Sequence, residues 1–264
     1  MSRKKPLWTQ TLILAALFGL SACSVKGEQP AGRSEPGPVP VRHDAAGPTG
    51  AVEGRVVLSG EVPALPKVKT SPAVERQCGA EVPDRSLVVG ADGALQYAVV
   101  SVAEGGLDAA ASGGEGPPAP VVDQKGCTYE PPVVAARAGS MLRVLNSDPL
   151  MHNVRASASA TVFNVAMPVT GQRIEKALPA TPGVVSLRCD VHPWMRATVK
   201  TFSHPFYAVT DAQGHFRIQG LPPGRHELVF WHERFPERRV SVEVPAGSTA
   251  RQDLTWSAGE LHGG

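Results

Sequence analysis

Short apolar runs rich in β-branched residues recur along the chain from residue 51 onward, separated by Gly, Pro, Asp and Asn. Outside the first 22 residues, no stretch keeps the 3.6-residue apolar period of an amphipathic helix. Runs of this length with such boundaries are typical of antiparallel sandwiches and barrels. The pattern therefore predicts an all-β fold, with strands over residues 52–58, 87–89, 96–102, 133–136, 141–145, 184–187 and 197–202.

The C-terminal part continues this pattern in a more regular form. A first strand-like run ends in a D-x-x-G turn over residues 211–214. A second run follows it and ends in an L-P-P-G turn over 221–224. Three further strands are predicted over residues 225–231, 239–244 and 249–256. Residues 105–120 are instead low in complexity, which predicts a mobile insertion.

The N-terminus has the features of an export signal. Three basic residues (Arg3, Lys4 and Lys5) precede an apolar stretch that is too short to span a bilayer comfortably. Its end, Leu-Ser-Ala-Cys, resembles a bacterial lipobox, which implies a signal peptide over residues 1–22 and lipidation of Cys23. The alternative is an ordinary signal peptide with an incidental cysteine. Ser24 in place of Asp implies the outer membrane, so the expected location is the envelope, facing the periplasm or the cell surface.

Residues 23–50 are rich in Pro and Gly and carry almost no large apolar side chains, so they are predicted to form a disordered tether. Removal of residues 1–22 would take away three basic residues and leave 23 basic against 24 acidic ones. Such a balance provides no electrostatic argument for binding nucleic acid. We therefore expect a membrane attachment through lipid and no nucleic-acid partner.

The strongest chemical signal is the spacing C-x2-H-x2-M, formed by Cys189, His192 and Met195. A second imidazole, His152, follows a predicted strand that ends near Asn146. Two histidines, one cysteine and one methionine are the ligand set of a blue-copper site, in which the methionine is a long axial ligand. Soft thiolate and thioether ligands favour copper, and the thioether argues against zinc.

Residues 133–202 resemble a cupredoxin, with V-x-N-x-D-x-x-x-H-N over 144–153 and a ligand loop of the amicyanin type. The resemblance implies a Greek-key sandwich that binds one Cu(I)/Cu(II) ion. It implies that the Asn153 N–H donates to the Cys189 sulfur and that Asn146 ties the two ligand loops together. We expect this domain to span residues 51–202, with residues 51–130 as an N-terminal decoration.

Residues 203–258 resemble the carboxypeptidase regulatory-like, or transthyretin-like, β-sandwich, which is an accessory module without protease chemistry. The matching features are T-D-x-x-G-x-F and L-P-x-G-x-x-x-L. Residues 259–264 are left as a tail.

Cys78 and Cys127 remain once Cys23 and Cys189 have been assigned to lipid and metal. In an oxidising compartment they are expected to form a disulfide that closes a loop of about 50 residues and contributes on the order of 3–4 kcal/mol. The alternative is that both stay reduced and buried.

Two further sets of residues have both a functional and a structural interpretation. Pro193 and Trp194 would form an exposed apolar rim for docking a redox partner, or Trp194 would be a buried packing residue. Four histidines could form a second metal site with Glu233 or Asp211, or could simply be surface and packing residues of a sandwich: His204, His215, His226 and His232.

Three functions follow from these features. The first is a lipid-tethered copper protein that carries one electron to or from a partner protein and is not an enzyme. The second is a copper-handling protein without redox cycling, although the chain lacks the Met-rich or His-rich tracts expected for one. The third is a structural or glycan-binding envelope lipoprotein.

Overall fold

The structure is a computed structural model that describes residues 47–107 and 116–262. The predicted signal peptide, Cys23, most of the tether and the centre of the low-complexity insertion lie outside the described residues. All described residues belong to one compact unit. Among them, no helix combines the length and the apolar character needed to cross a bilayer.

The described part of the chain is built from strands, one helical turn and three 3-10 turns. The helical turn is α1 (Glu75–Cys78), and the 3-10 turns cover Pro72–Val74, Ala91–Gly93 and Ala258–Glu260. The strands are β1 (Gly50–Ser59), β2 (Val68–Lys69), β3 (Glu81–Val82), β4 (Val99–Val102), β5 (Val121–Lys125), β6 (Thr128–Glu130), β7 (Val133–Arg137), β8 (Met141–Asn146), β9 (His152–Ser157), β10 (Thr161–Met167), β11 (Arg173–Ala177), β12 (Gly183–Arg188), β13 (Arg196–Phe202), β14 (Tyr207–Val209), β15 (His215–Leu221), β16 (Gly224–His232), β17 (Phe235–Val244), β18 (Thr249–Arg251) and β19 (Leu254–Ser257).

The first sandwich contains strands β5 to β13. One sheet has the order β10-β9-β12-β13-β7 and the other the order β11-β8-β5-β6. Strand β8 shows why they stack, because its buried side chains alternate with more exposed ones along the strand. One core cluster contains residues from both sheets, among them Val122, Leu142, Val144, Val154, Val185 and Val199.

The second sandwich combines strands from both ends of the chain. Strand β1 is central to one sheet, where it pairs with β15, β18 and β19. The other sheet has the order β14-β4-β16-β17. Their shared core includes Val52, Val56, Val100, Ile218, Phe230 and Trp256.

This pairing corrects the expected domain boundaries. Strands β1 and β4 were expected to decorate the copper-binding domain, but Val52 pairs with Ile218 and Val100 pairs with Phe230. The first sandwich is therefore inserted in the chain between β4 and β14, and the second is larger than residues 203–258. The physical reason is that strands after residue 203 need partners to complete their hydrogen bonds, and β1 and β4 supply them.

The sandwiches are joined by packing and by a covalent link. A small apolar cluster contains Val99 and Tyr207 from one sandwich and Val133 and Phe202 from the other. The predicted disulfide is present between Cys78, at the end of α1, and Cys127, in the β5–β6 turn. The segment after β1 is thereby fastened to the first sandwich.

Most predicted strands are confirmed with small changes in their ends. Residues 87–89 are wrong as a strand, since only an isolated bridge forms there, between Val89 and Leu95. Seven strands were not predicted, namely β2, β3, β5, β6, β9, β10 and β11. Strands β10 and β11 nevertheless alternate in burial along their length.

Candidate metal centre

Two adjacent strands bring the candidate ligands to one end of the first sandwich. His152 is the first residue of β9, and Cys189 directly follows β12. These strands pair antiparallel, with Arg188 opposite Arg155, so the start of one lies beside the end of the other. His192 lies in the loop after Cys189, which ends at Met195 just before β13.

Three donor atoms converge at this end of the sheet. The Nδ1 atoms of His152 and His192 are 2.8 Å apart, and the Cys189 Sγ is 3.7 Å from the His192 Nδ1. One ligand atom from each of the three residues lies within 4.8 Å of the others, and all three side chains are buried. Two imidazoles and a thiol in a water-excluded pocket fit the donor preference of copper.

Met195 closes the ligand loop through its backbone. Its N–H donates to the His192 carbonyl over 2.9 Å, and its own carbonyl accepts from the Cys189 N–H over 3.3 Å. The side chain is 1 % exposed and belongs to the same core cluster as Cys189. Axial ligation by its sulfur remains a prediction.

The three donors influence one another's protonation. Burial alone would lower the pKa of His152, but hydrogen bonds to Asp148 and Cys189 outweigh it and raise the pKa to about 9. Burial opposes ionisation of Cys189, yet hydrogen bonds from His152 and the Asn153 N–H lower its pKa. Burial and the nearby charge of His152 lower the pKa of His192. Burial and the contacts among these groups therefore move the pKa values of all three donors away from their ordinary values.

Asn153 contacts the thiol in the way that the resemblance implies. Its backbone N–H donates to the Cys189 Sγ over 3.5 Å. Its side chain also accepts from the Asp190 N–H over 2.5 Å and donates to the Asp190 carboxylate over 3.0 Å. Asn153 thus connects the start of β9 to the ligand loop.

Asn146 has a different role from the one expected. Its amide donates to the carbonyls of Leu150 and Met167, and its oxygen accepts from the Asp148 N–H. These contacts organise the loop before His152, and within the described part of the chain no hydrogen bond of Asn146 reaches the loop after Cys189. The expectation that Asn146 ties the two ligand loops together is therefore wrong; Asn153 does so, because its side chain lies between adjacent strand ends.

The sequence interpretation missed Asp148, whose carboxylate oxygen lies 2.9 Å from the Nε2 of His152. Asp148 lies within the V-x-N-x-D-x-x-x-H-N motif over 144–153, four residues before His152, but no function was predicted for it. That spacing was the available signal, because a metal-binding imidazole usually donates its second ring N–H to a carboxylate, a carbonyl or water.

The two residues predicted to dock a partner differ in exposure. Pro193 is exposed, whereas Trp194 is half-buried and its indole N–H donates to the Cys127 carbonyl over 3.0 Å. The Trp194 side chain packs against the core of the first sandwich. Two apolar residues next to the candidate ligands His152 and His192 are more exposed than Trp194, namely Met151 at 50 % and Val191 at 43 %.

The remaining histidines do not form a second candidate metal cluster within the described residues. Both clusters found there contain His152. His204 pairs with the Val102 carbonyl, His226 with the Pro222 carbonyl, and the Nδ1 of His232 accepts from the Arg234 N–H. The structural interpretation of these three buried side chains fits their contacts.

Comparisons with known proteins find both resemblances. The family model described as carboxypeptidase regulatory-like domain matches residues 183–257, so it begins at β12, inside the first sandwich. No curated protein sequence matches significantly.

Similar solved structures include three copper proteins. Amicyanin from Paracoccus versutus is 23 % identical and covers 34 % of this chain and 88 % of its own, with a TM-score of 0.29. A purple cupredoxin from Nitrosopumilus maritimus is 21 % identical over 31 % of this chain and 97 % of its own, at a TM-score of 0.27. A copper-containing nitrite reductase from Thermus scotoductus SA-01 is 18 % identical. It covers 39 % of this chain and 25 % of its own, with a TM-score of 0.28. With such low TM-scores, the case for a metal centre depends on the site geometry alone.

Proposed function

We propose that this chain is a type 1 copper protein that carries single electrons in the bacterial cell envelope. The observation that supports the proposal best is the buried convergence of the His152 Nδ1, the His192 Nδ1 and the Cys189 Sγ at two adjacent strand ends. The sequence places Met195 as the fourth, axial ligand.

The protein's contribution is to keep these side chains where they are. Asn153 holds the Cys189 loop against β9, while the backbone bonds of Met195 limit the loop's conformations. A copper ion held by this set would gain and lose one electron. Ligands fixed by a rigid scaffold rearrange little during that change, which favours fast transfer.

An electron carrier is favoured over an enzyme because four protein ligands would leave no coordination position for a substrate. The glycan-binding alternative receives little support from the aromatic residues. Among the described residues, every Trp and Tyr side chain is buried or half-buried, so no exposed aromatic platform is formed there. The envelope location is supported by the export signal and by the disulfide, which is typical of oxidising compartments.

The test is the visible absorption and electron paramagnetic resonance spectrum of the purified protein loaded with Cu(II). We expect an intense thiolate-to-copper band and a narrow copper hyperfine splitting, both lost in Cys189→Ala. The matched control is His215→Gln, which changes an exposed histidine and should keep both features. A colourless copper complex, or a spectrum indifferent to Cys189, would contradict the proposal.

A further inference from the structure

The carboxylate of Asp148 is buried, and both of its oxygens form hydrogen bonds. Its Oδ2 lies 2.9 Å from the Nε2 of His152 and accepts from the Cys127 N–H over 2.8 Å, while its Oδ1 accepts from the Gly126 N–H over 2.7 Å. Hydrogen bonds from the two backbone N–H groups favour the ionised form of this carboxyl group. The ionised carboxylate can only accept, so the proton between the two side chains belongs to the Nε2 of His152.

This bond determines which ring nitrogen of His152 is available to a metal. The Nε2 side of the ring faces Asp148, and the Nδ1 side faces His192. A proton held on Nε2 leaves Nδ1 as the nitrogen with a free lone pair, once the histidine is neutral. A carboxylate in this position also makes the imidazole a stronger ligand.

The hairpin turn between β5 and β6, which holds Asp148, has an unusual backbone conformation. Gly126 and Cys127 form a two-residue hairpin loop between β5 and β6, and their φ angles are +61° and +56°. Two-residue hairpin loops with both φ values positive favour Asn and Gly, so a cysteine at the second position is conformationally costly. The bonds to Asp148 and the disulfide to Cys78 both act on this turn.

The same turn contacts the second ligand loop. The Cys127 carbonyl accepts from the Trp194 indole, and Trp194 lies in the loop between His192 and Met195. One pair of residues, Gly126 and Cys127, therefore contacts the segments that carry all the candidate ligands. The disulfide fastens that pair to the segment after β1.

We propose that Asp148 is a positioning residue for the metal centre, and that the disulfide-linked turn at Gly126 and Cys127 holds it against His152. The proposal rests on the proposed function, because it concerns ligands of the same site. It predicts that Asp148 and the disulfide influence the metal site although neither is among the proposed ligands.

The first experiment needs no metal. In the metal-free protein, the Nε2-bound proton of His152 should exchange with solvent slowly, by nuclear magnetic resonance, compared with that of exposed His215. Asp148→Ala should accelerate this exchange at least tenfold, and Asp148→Asn should do so to a smaller extent, because an amide oxygen still accepts a hydrogen bond. The matched control is Asp123→Asn, since the Asp123 carboxylate accepts from Ser147 and, among the described residues, forms no hydrogen bond with His152.

The second experiment measures metal binding in the same variants. Loss of a partner that orients a ligand typically costs about 10–100-fold in metal affinity, and we expect Cu(II) affinity to fall by this factor in Asp148→Ala. A weaker imidazole disfavours Cu(II) more than Cu(I), so the reduction potential should rise, by about 59 mV for each tenfold of differential loss. Replacing Cys78 and Cys127 together by Ser should shift the exchange rate and the affinity in the same direction.

A purely structural Asp148 would change stability without changing these readouts. The proposal is overturned if the His152 proton exchanges as fast as that of His215 in the unmodified protein, a result that requires no variant to fold. It is also overturned if exchange and Cu(II) affinity are unchanged in both Asp148 variants. Failure of the proposed function alone would instead appear as slow, Asp148-dependent exchange in a protein without the thiolate-to-copper band.

Discussion

The indole N–H of Trp194 donates to the carbonyl oxygen of Cys127 over 3.0 Å, which ties the candidate ligand loop to the β5–β6 turn. Trp194, for which both an exposed rim and a buried packing position were open, is half-buried and links two segments of the candidate site. Its ring centroid lies 5.2 Å from that of His192, so it also packs beside a candidate ligand.

Trp194→Phe keeps an aromatic ring but removes this hydrogen bond. We expect the free energy of unfolding to fall by about 1 kcal/mol, the net value of a typical intramolecular hydrogen bond. Denaturant unfolding of the metal-free protein measures this loss. The matched control is Trp231→Phe, since Trp231 is also half-buried and no indole hydrogen bond is found for it in the described part of the chain. Equal losses in the two variants would mean that packing alone accounts for the effect.

Docking of a partner should depend on the exposed residues beside the histidines and not on Trp194. Met151 and Val191 each adjoin a candidate ligand and expose 50 % and 43 % of their surface. Met151→Lys should slow electron self-exchange between copies of the copper-loaded protein at least tenfold, because it places like charges in a transient apolar contact. Line broadening in mixtures of the oxidised and reduced protein measures the rate.

The control for this prediction is Val121→Lys, which adds the same charge at another exposed apolar position, in β5. Because its net charge changes equally, general repulsion between copies should affect both variants alike. Similar slowing in the two variants would show that the surface beside the histidines has no special role.

Strand β1 can be tested as a component of the second sandwich through Gly54. A Cβ built there would lie 1.8 Å from the Gln252 carbonyl oxygen, because the connection between β18 and β19 passes directly over the strand. Gly54→Ala should destabilise the protein by about 3 kcal/mol, since overpacking against backbone cannot be relieved by a side-chain rotation. Thermal unfolding gives the value. The control is Gly259→Ala, which should have little effect because the atom nearest to its added Cβ is 3.7 Å away. A wild-type melting temperature in Gly54→Ala would refute the position of β1 in the second sandwich.

Acid should destabilise the second sandwich through His232. Burial, together with the charge of Arg234, lowers the pKa of His232 to about 4. The unfolded chain binds this proton below about pH 6.5, whereas the folded protein binds it only near pH 4. The contribution of neutral His232 to stability is therefore complete above about pH 6.5 and declines as the pH falls to 4, by roughly 3 kcal/mol in total.

His232→Asn should flatten the dependence of stability on pH over this interval. The Asn oxygen can accept from the Arg234 N–H, as the His232 Nδ1 does, so the local hydrogen bond is kept. Urea unfolding at several pH values gives the slope, and His215→Asn at an exposed position is the matched control. Parallel curves for His232→Asn and the unmodified protein would show that His232 does not titrate as expected.

Much of the site was predictable because it depends on local spacing. Cys189, His192 and Met195 are three residues apart on one loop, and Asn153 adjoins His152, so the sequence alone indicated which groups belong together. The disulfide between Cys78 and Cys127 was also predictable, since few cysteines remained to pair. The all-β fold followed from short β-branched apolar runs bounded by Gly, Pro, Asp and Asn, and from the lack of a sustained helical period after residue 22.

Only the tertiary structure decided which strands pair and which side chains meet. Strand β1 alternates in burial along most of its length and β4 is buried throughout, but neither pattern carries information about the partner strand. Their place in the second sandwich appeared only through their pairing with β15 and β16. The contact of Asp148 with His152 and with the Cys127 turn likewise depends on how the loop after Asn146 is folded. Spacing along a chain determines which residues are neighbours in sequence, whereas hydrogen bonding and burial between distant segments determine what those residues contact.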